Sequence, residues 1–200
     1  MRTSAFAVLA GAYLFFAAGA AVQAAGSAVS SYDFVDVGFG FLTAPDGNRF
    51  GMQATGRRTL GPAGESVQLY VLVYQLVPNA WGWDDWVYLA VYNGSSSSEP
   101  QIAKVEVIAD KSASILGSFI PQFGTISGPL SLAAECLPSY TSSFVSNSRY
   151  RNNLWLGDGN QHQVGRSFGG ECTVTLQGAG LDLRFSSSGS IVQAIRSVAN

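Results

Sequence analysis

The sequence predicts an all-β protein, an antiparallel β-sandwich or jelly roll carrying one short C-terminal helix. Three observations lead there. Short stretches of strictly alternating apolar and polar residues recur between clusters of Gly, Pro, Asn and Ser. The chain holds 23 glycines with only 12% charged and 47% hydrophobic residues, too apolar for disorder and typical of extracellular β proteins. Helical periodicity is found once, at the C-terminus, and no internal repeat is present.

The first 24 residues read as a signal peptide. Arg2 supplies the positive charge, Ala5 to Val22 is an apolar run, and Val22-Gln23-Ala24 places small residues where a signal peptidase cleaves, after Ala24. A retained signal anchor is the alternative, since a run of roughly 18 apolar residues just spans a bilayer. No cysteine follows the run, so lipid attachment to an N-terminal Cys is excluded. Residues 25–31 read as a linker and 32–200 as a single domain. Removing 24 of 200 residues leaves 176, enough for a sizeable core. The mature charge is about −3, from thirteen acidic residues against the eleven basic ones less Arg2. Without a basic stripe, nucleic acid is excluded as a partner. The expected location is extracellular or periplasmic.

Tyr32 to Leu42 alternates Val35, Val37, Phe39 and Phe41 against Asp36, Gly38 and Gly40, a strand with a core face and a bare glycine face. Pro45-Asp46-Gly47-Asn48 is a turn, Arg49 to Thr55 a second strand, and Gly56 to Gly64 a loop. Ser66 to Val77 is apolar on both faces, Val67, Leu69, Val71 and Val73 against Tyr70, Leu72, Tyr74 and Leu76, as a central strand is. Trp86 to Tyr92 returns from it, with Trp86, Tyr88 and Tyr92 on one face. Gln101 to Ala109 alternates about Lys104 and Glu106. Strands follow near Ile115 to Ile120 and Ile126 to Cys136, and then from Cys172 to Gln177 and Leu181 to Phe185 around Gly178-Ala179-Gly180. Ile191, Ile195 and Val198 after Ser190 describe the terminal helix. A small outer-membrane barrel is the competing architecture.

Cys136 and Cys172 are the two cysteines of an exported chain, and their parity matches neighbouring leucines and valines, which predicts a buried disulfide. The loop it closes, about 36 residues, is worth roughly 3 to 4 kcal/mol in the chain-entropy account. The enclosed residues Pro138 to Gly170 read as a long polar loop with Arg149, Arg151, Asp158, Arg166 and the single histidine, His162.

No motif for catalysis or metal binding stands out. His162 is the only imidazole base and no nucleophile turn accompanies the serines. Metal-ligand spacing is absent, and no cofactor is implied. Glu135 and Glu171, each preceding a cysteine, would share a face if the bridge joins adjacent strands, which makes a glycoside-hydrolase carboxylate pair the third functional reading. The sharpest feature is aromatic. Trp81, Trp83 and Trp86 fall in one loop flanked by Tyr70, Tyr74, Tyr88 and Tyr92. Such rings stack on sugars and also settle among lipid headgroups.

Val77-Pro78 with Trp81, Trp83, Trp86, Val91, Tyr92 and Gly94 resembles the membrane-binding aromatic hairpin of actinoporin-like pore-forming proteins. The resemblance implies a β-sandwich whose tyrosines recognise choline headgroups. It covers under twenty residues, about a tenth of the chain. The family lacks this disulfide and inserts an N-terminal amphipathic helix, for which Ala25 to Ser31 is too short and polar. The leading expectation is therefore a non-enzymatic binding or adhesion protein that contacts glycan or a cell-surface polymer through Trp81, Trp83 and Trp86. A membrane-active sandwich comes second.

Overall fold

The structure, a computed structural model, describes residues 28–96, 103–108, 111–153 and 157–199. The predicted signal peptide and residues 25–27 of the predicted linker lie outside them. Nine strands follow in chain order: β1 Ala28–Thr43, β2 Arg49–Gly61, β3 Gly64–Pro78, β4 Asp84–Ser95, β5 Ala103–Ile108, β6 Ser112–Phe119, β7 Leu130–Asn153, β8 Gly157–Gly178 and β9 Leu181–Ala199. They form one antiparallel sheet in the order β4-β3-β2-β1-β9-β8-β7-β6-β5. Every strand lies beside a sequence neighbour except where β9 pairs with β1 and joins the two ends of the domain.

The all-β prediction is met in one antiparallel sheet of nine strands, and the described residues do not separate into the two sheets of the predicted sandwich or jelly roll. A sandwich needs two facing sheets and a jelly roll needs Greek-key crossings; here a single meander curls back over itself. β5 lies across β1, β2 and β3. Val105 of β5 and Ile115 of β6 reach Gly56 of β2, where an added Cβ would stand 2.7 and 2.9 Å from their side chains. The enclosed face is aliphatic and close-packed, with Val35, Val37, Met52, Ala54, Leu69, Val71, Val73, Ile115, Val174 and Ile191 all without solvent exposure. An aliphatic, close-packed interior differs from the polar interior of a transmembrane barrel.

The free edge of β4 is covered by the β6–β7 connection. Gln122 N–H donates to Val91 O (2.9 Å), Phe123 O accepts from Val91 N–H (2.8 Å), and Ile126 N–H donates to Leu89 O (2.9 Å). The Gln122 side chain acts as an extra peptide group, accepting from Asn93 N–H and donating to Asn93 O, both at 3.0 Å. Gly124 at φ 125° carries the chain close over the Leu89 carbonyl, where no side chain fits. This covering satisfies an edge that would otherwise invite pairing with another chain.

Four predicted segments are corrected. Ala28 to Ser31, read as linker, begin β1 because β9 supplies partners from Val198 to Ile195. Gly56 to Gly61, read as loop, continue β2 to a turn at Pro62-Ala63, with Arg57, Arg58 and Thr59 paired to Gln68, Val67 and Ser66. Residues 138–153 and 157–170 of the polar stretch pair as a long hairpin of β7 and β8 rather than forming a loop. Its serines pair across strands, as Ser142 and Ser167 do with hydroxyls 2.9 Å apart, and the side chains of Arg149, Arg151 and Asp158 lie outside the described ones. The predicted helix is the end of β9. Ile191 and Ile195 share a face in a strand as they do in a helix, so their spacing does not discriminate. Hydrogen-bonding partners on both sides, β1 and β8, decide for the strand.

Cys136 and Cys172 stand directly opposite in β7 and β8 and form the predicted disulfide, with Cα atoms 4.0 Å apart. Both are buried, and the bare Cα of Gly189 on β9 leaves the space into which the two sulfurs fit. The bond fits an oxidising compartment. Replacing both cysteines by alanine should lower unfolding stability by about 3 kcal/mol in chemical denaturation. Gly189→Ala should also destabilise, by steric pressure on the sulfurs, while thiol titration still finds no free cysteine.

Candidate functional site

The β3–β4 connection is a tightly organised turn. Asn79 holds it: its side-chain oxygen accepts from the N–H groups of Trp81 (3.0 Å) and Trp83 (3.1 Å), and its own N–H donates to Trp83 O (2.7 Å). Gly82, at φ 77°, donates to Asn79 O at 3.1 Å and supplies the left-handed residue the turn needs. The Asn79 amide donates to Asp85 (3.1 Å), while Asp84 forms an ion pair with Arg49 of β2. The adjacent carboxylates thus serve different partners and do not converge on one ligand. Trp81 and Trp83 project from this frame 85% and 75% exposed. Asn79 is the residue that sequence reading missed, although an Asn two before the first Trp is a recognisable Asx-turn signal.

Two β-bulges decide where the other aromatic rings go. In β1 the register shifts between Val37 and Gly40, so that Gly38 and Phe39 together face Gln53. Beyond that extra residue the faces exchange. Phe39 and Phe41, predicted to continue the core face of Val35 and Val37, instead emerge on the outer face. In β4 the extra residue is Leu89, since Val73 pairs with Ala90 and Tyr74 with Tyr88. Trp86 and Tyr88 therefore face outward, whereas Tyr92 turns into the core, 1% exposed and 4.9 Å from the ring of Phe119. The predicted single aromatic face of Trp86, Tyr88 and Tyr92 is corrected accordingly.

Tyr74 is the hub of the outer aromatic group. It lies over Gly51, its cross-strand partner, where any Cβ would collide with the ring. Trp86 stacks on it with centroids 4.3 Å apart and planes 17° from parallel; Phe39 and Phe41 meet it at 6.2 and 6.5 Å. Tyr74 is thereby fully covered, while Trp86 remains 46% and Phe41 60% exposed. Phe123 from the covering segment packs edge-on to Tyr88 at 6.1 Å. Burial pushes the Tyr74 phenol up to about 12, with the neighbouring Tyr88 adding to the effect, and raises Tyr70 for the same two reasons. Of the seven aromatic residues singled out in the sequence, Trp81, Trp83 and Trp86 are exposed, Tyr70 and Tyr88 are half-buried, and Tyr74 and Tyr92 are buried.

The remaining candidates do not assemble. Glu135 faces Thr173 and Glu171 faces Leu137, so the two carboxylates are diagonal neighbours on one exposed face. His162 is exposed on β8. Among the described residues no group of three His, Cys, Asp or Glu side chains is placed to hold a metal ion.

No protein-family model matches the chain, and no curated protein matches its sequence. Among solved structures, a Nitrosomonas europaea protein assigned as AttH is similar to it, with a TM-score of 0.36 and 12% identity over 86% of this chain. The chain spans about half of that protein, 52% of its length, and a likeness at this level carries no argument about function.

Two measurements probe the site's construction. The Tyr74 hydroxyl is buried without a hydrogen-bond partner among the described residues, so Tyr74→Phe should leave stability at pH 7 unchanged or slightly higher. Because its folded pKa stands near 12 against 10.0 unfolded, the neutral phenol stabilises the native state fully below pH 10. That contribution disappears as pH rises toward 12, and thermal unfolding across this range should be less pH-dependent in Tyr74→Phe. Asn79→Ala should cost about 1 kcal/mol and increase proteolysis at the Trp81–Trp83 turn, with the strands preserved by circular dichroism.

Proposed function

We propose that this chain is a secreted, non-enzymatic binding protein that contacts glycan or a similar cell-surface polymer through Trp81, Trp83 and Trp86. One observation carries the reading: two tryptophans stand almost fully exposed on a turn locked by Asn79, beside a third held flat by its stack on Tyr74. Exposing such rings to water is unfavourable unless a partner covers them. A frame that prevents their collapse lowers the ordering cost of binding. Sugar rings present flat C–H faces to aromatic rings and hydroxyls to polar groups, here the Asp85 carboxylate to which the Asn79 amide donates.

Lipid is the second reading, because Phe41, Val77, Ile120 and Phe123 add exposed apolar surface near the hairpin. Charge favours the first. Asp46, Asp84 and Asp85 accompany this end of the sheet, and its Arg49 is already paired with Asp84, so anionic headgroups would meet carboxylates. Disulfide and leader-like N-terminus together support export.

Glycan-array and liposome binding, run in parallel on wild type and a Trp81→Ala/Trp83→Ala/Trp86→Ala variant, test this. Wild type should bind immobilised glycan, with affinity falling about tenfold for each exposed ring removed. Liposome binding without glycan binding would favour lipid, and a triple variant that keeps its ligand would refute the aromatic site. Trp81→Ala and Trp83→Ala should leave stability within about 0.5 kcal/mol, whereas Trp86→Ala should cost about 1 kcal/mol by uncovering Tyr74.

A further inference from the structure

Eight residues further along β2 than Arg49, the outer face of the sheet carries a second unusual group. Tyr32 of β1 stands opposite Thr59 on one side and Ala194 on the other. Arg57 is opposite Phe34, and Arg196 is opposite Ser30. The two arginines therefore flank Tyr32 on opposite diagonals, one from β2 and one from β9. The Arg57 guanidinium carbon lies 5.6 Å from the centre of the Tyr32 ring. Gln163 of β8, opposite Arg196, donates its amide to the Tyr32 hydroxyl.

The other described arginines of β2 have acidic partners. Arg58 reaches Asp33 and Glu65, and Arg49 reaches Asp84. Arg57 and Arg196 form no ion pair among the described residues, and the Nε of each is buried without a hydrogen-bond acceptor. Burial lowers the proton affinity of Arg57, and the charge of Arg196 lowers it further, so the two guanidiniums feel one another. Two guanidiniums on either side of one ring, each with a buried donor unmet, are unfavourable unless an anion meets them. A carboxylate offers two oxygens in one plane, whereas a tetrahedral oxyanion offers three or four that diverge and so suits guanidiniums approaching from two sides of a ring.

We propose that Arg57 and Arg196, with Tyr32 between them, form a binding site for a tetrahedral oxyanion, sulfate or phosphate, either free or as an ester on a polymer. The site is separate from the tryptophan hairpin and stands whether or not that hairpin binds glycan.

Thermal unfolding of the full chain in sodium sulfate and sodium phosphate, against sodium chloride at equal ionic strength, is the test. Wild type should gain about 2 to 5 °C in a saturable manner with the oxyanions alone. Arg57→Gln/Arg196→Gln should abolish the gain, and Arg196→Gln alone should weaken apparent affinity about tenfold. Dextran sulfate against uncharged dextran separates the sources: binding of the polymer without the free ions identifies an ester, and the converse identifies a free ion. Should the double variant fold poorly, phenylglyoxal modification of wild type gives an independent reading, since sulfate should protect Arg57 and Arg196 but not Arg49. A response equal to that in chloride combined with no preference for dextran sulfate over uncharged dextran, a gain or polymer binding retained by a folded double variant, or no protection of the two arginines by either sulfate or dextran sulfate would overturn the site.

Discussion

Register is the constraint on which the rest of this molecule depends. In a pleated strand a one-residue slip carries every later side chain to the opposite face, and two such slips, at Gly38–Phe39 and at Leu89, separate its core from its aromatic surface. Without the first, Phe39 and Phe41 would compete for the interior that Leu42 and the flanking valines fill. Without the second, Trp86, Tyr88 and Tyr92 would share one face, so that either Tyr92 would leave the core or Trp86 and Tyr88 would enter it. The bulges make Tyr74 the centre of an outer group and Tyr92 part of the interior, though both are tyrosines of strands that pair with each other.

Closure follows from the same meander. A single curled sheet has two edges, and each is managed differently. The edge of β4 is hydrogen-bonded to the β6–β7 segment, with Gln122 standing in for a strand. The edge of β5 carries Lys104 and Glu106, ion-paired at 3.1 Å, charges of the kind that discourage edge-to-edge association. The interior needs no second sheet because β5 and β6 send Val105 and Ile115 across to the glycine of β2. The disulfide ties β7 to β8 beneath Gly189 and so fixes the register of the longest hairpin in the chain.

Rigidity and charge give the two outer surfaces different characters. At the hairpin, hydrogen bonds from Asn79 and the Trp86–Tyr74 stack hold large rings in water, a presentation suited to flat, weakly charged ligands. Around Tyr32, side chains from four neighbouring strands place a guanidinium on either side of one ring, neither of them in an ion pair among the described residues. Such a group is suited to an anion. The acidic balance of the chain as a whole hides this local excess of positive charge, since composition sums over surfaces that never meet.

Alternation and turn chemistry were readable from the chain because they are local: the β class, the turns at Asp46-Gly47 and Gly178-Ala179-Gly180, the central character of β3, and the pairing of two like-facing cysteines. The clustering of Trp81, Trp83 and Trp86 about one connection is legible too, whereas the exposure of Trp81 and Trp83 is decided by the turn that Asn79 holds. What the sequence left open depends on partners distant along the chain. Ile191 and Ile195 suit a helix or a strand equally, and only β1 and β8 on either side make them strand. Ser-rich residues 138–170 look like loop until a facing strand accepts their peptide groups. The bulges leave no mark in hydrophobic periodicity, because an inserted residue shows only against the strand it slips past. Arg57 and Arg196, 139 positions apart in number, flank the same tyrosine only because the first strand pairs with the last.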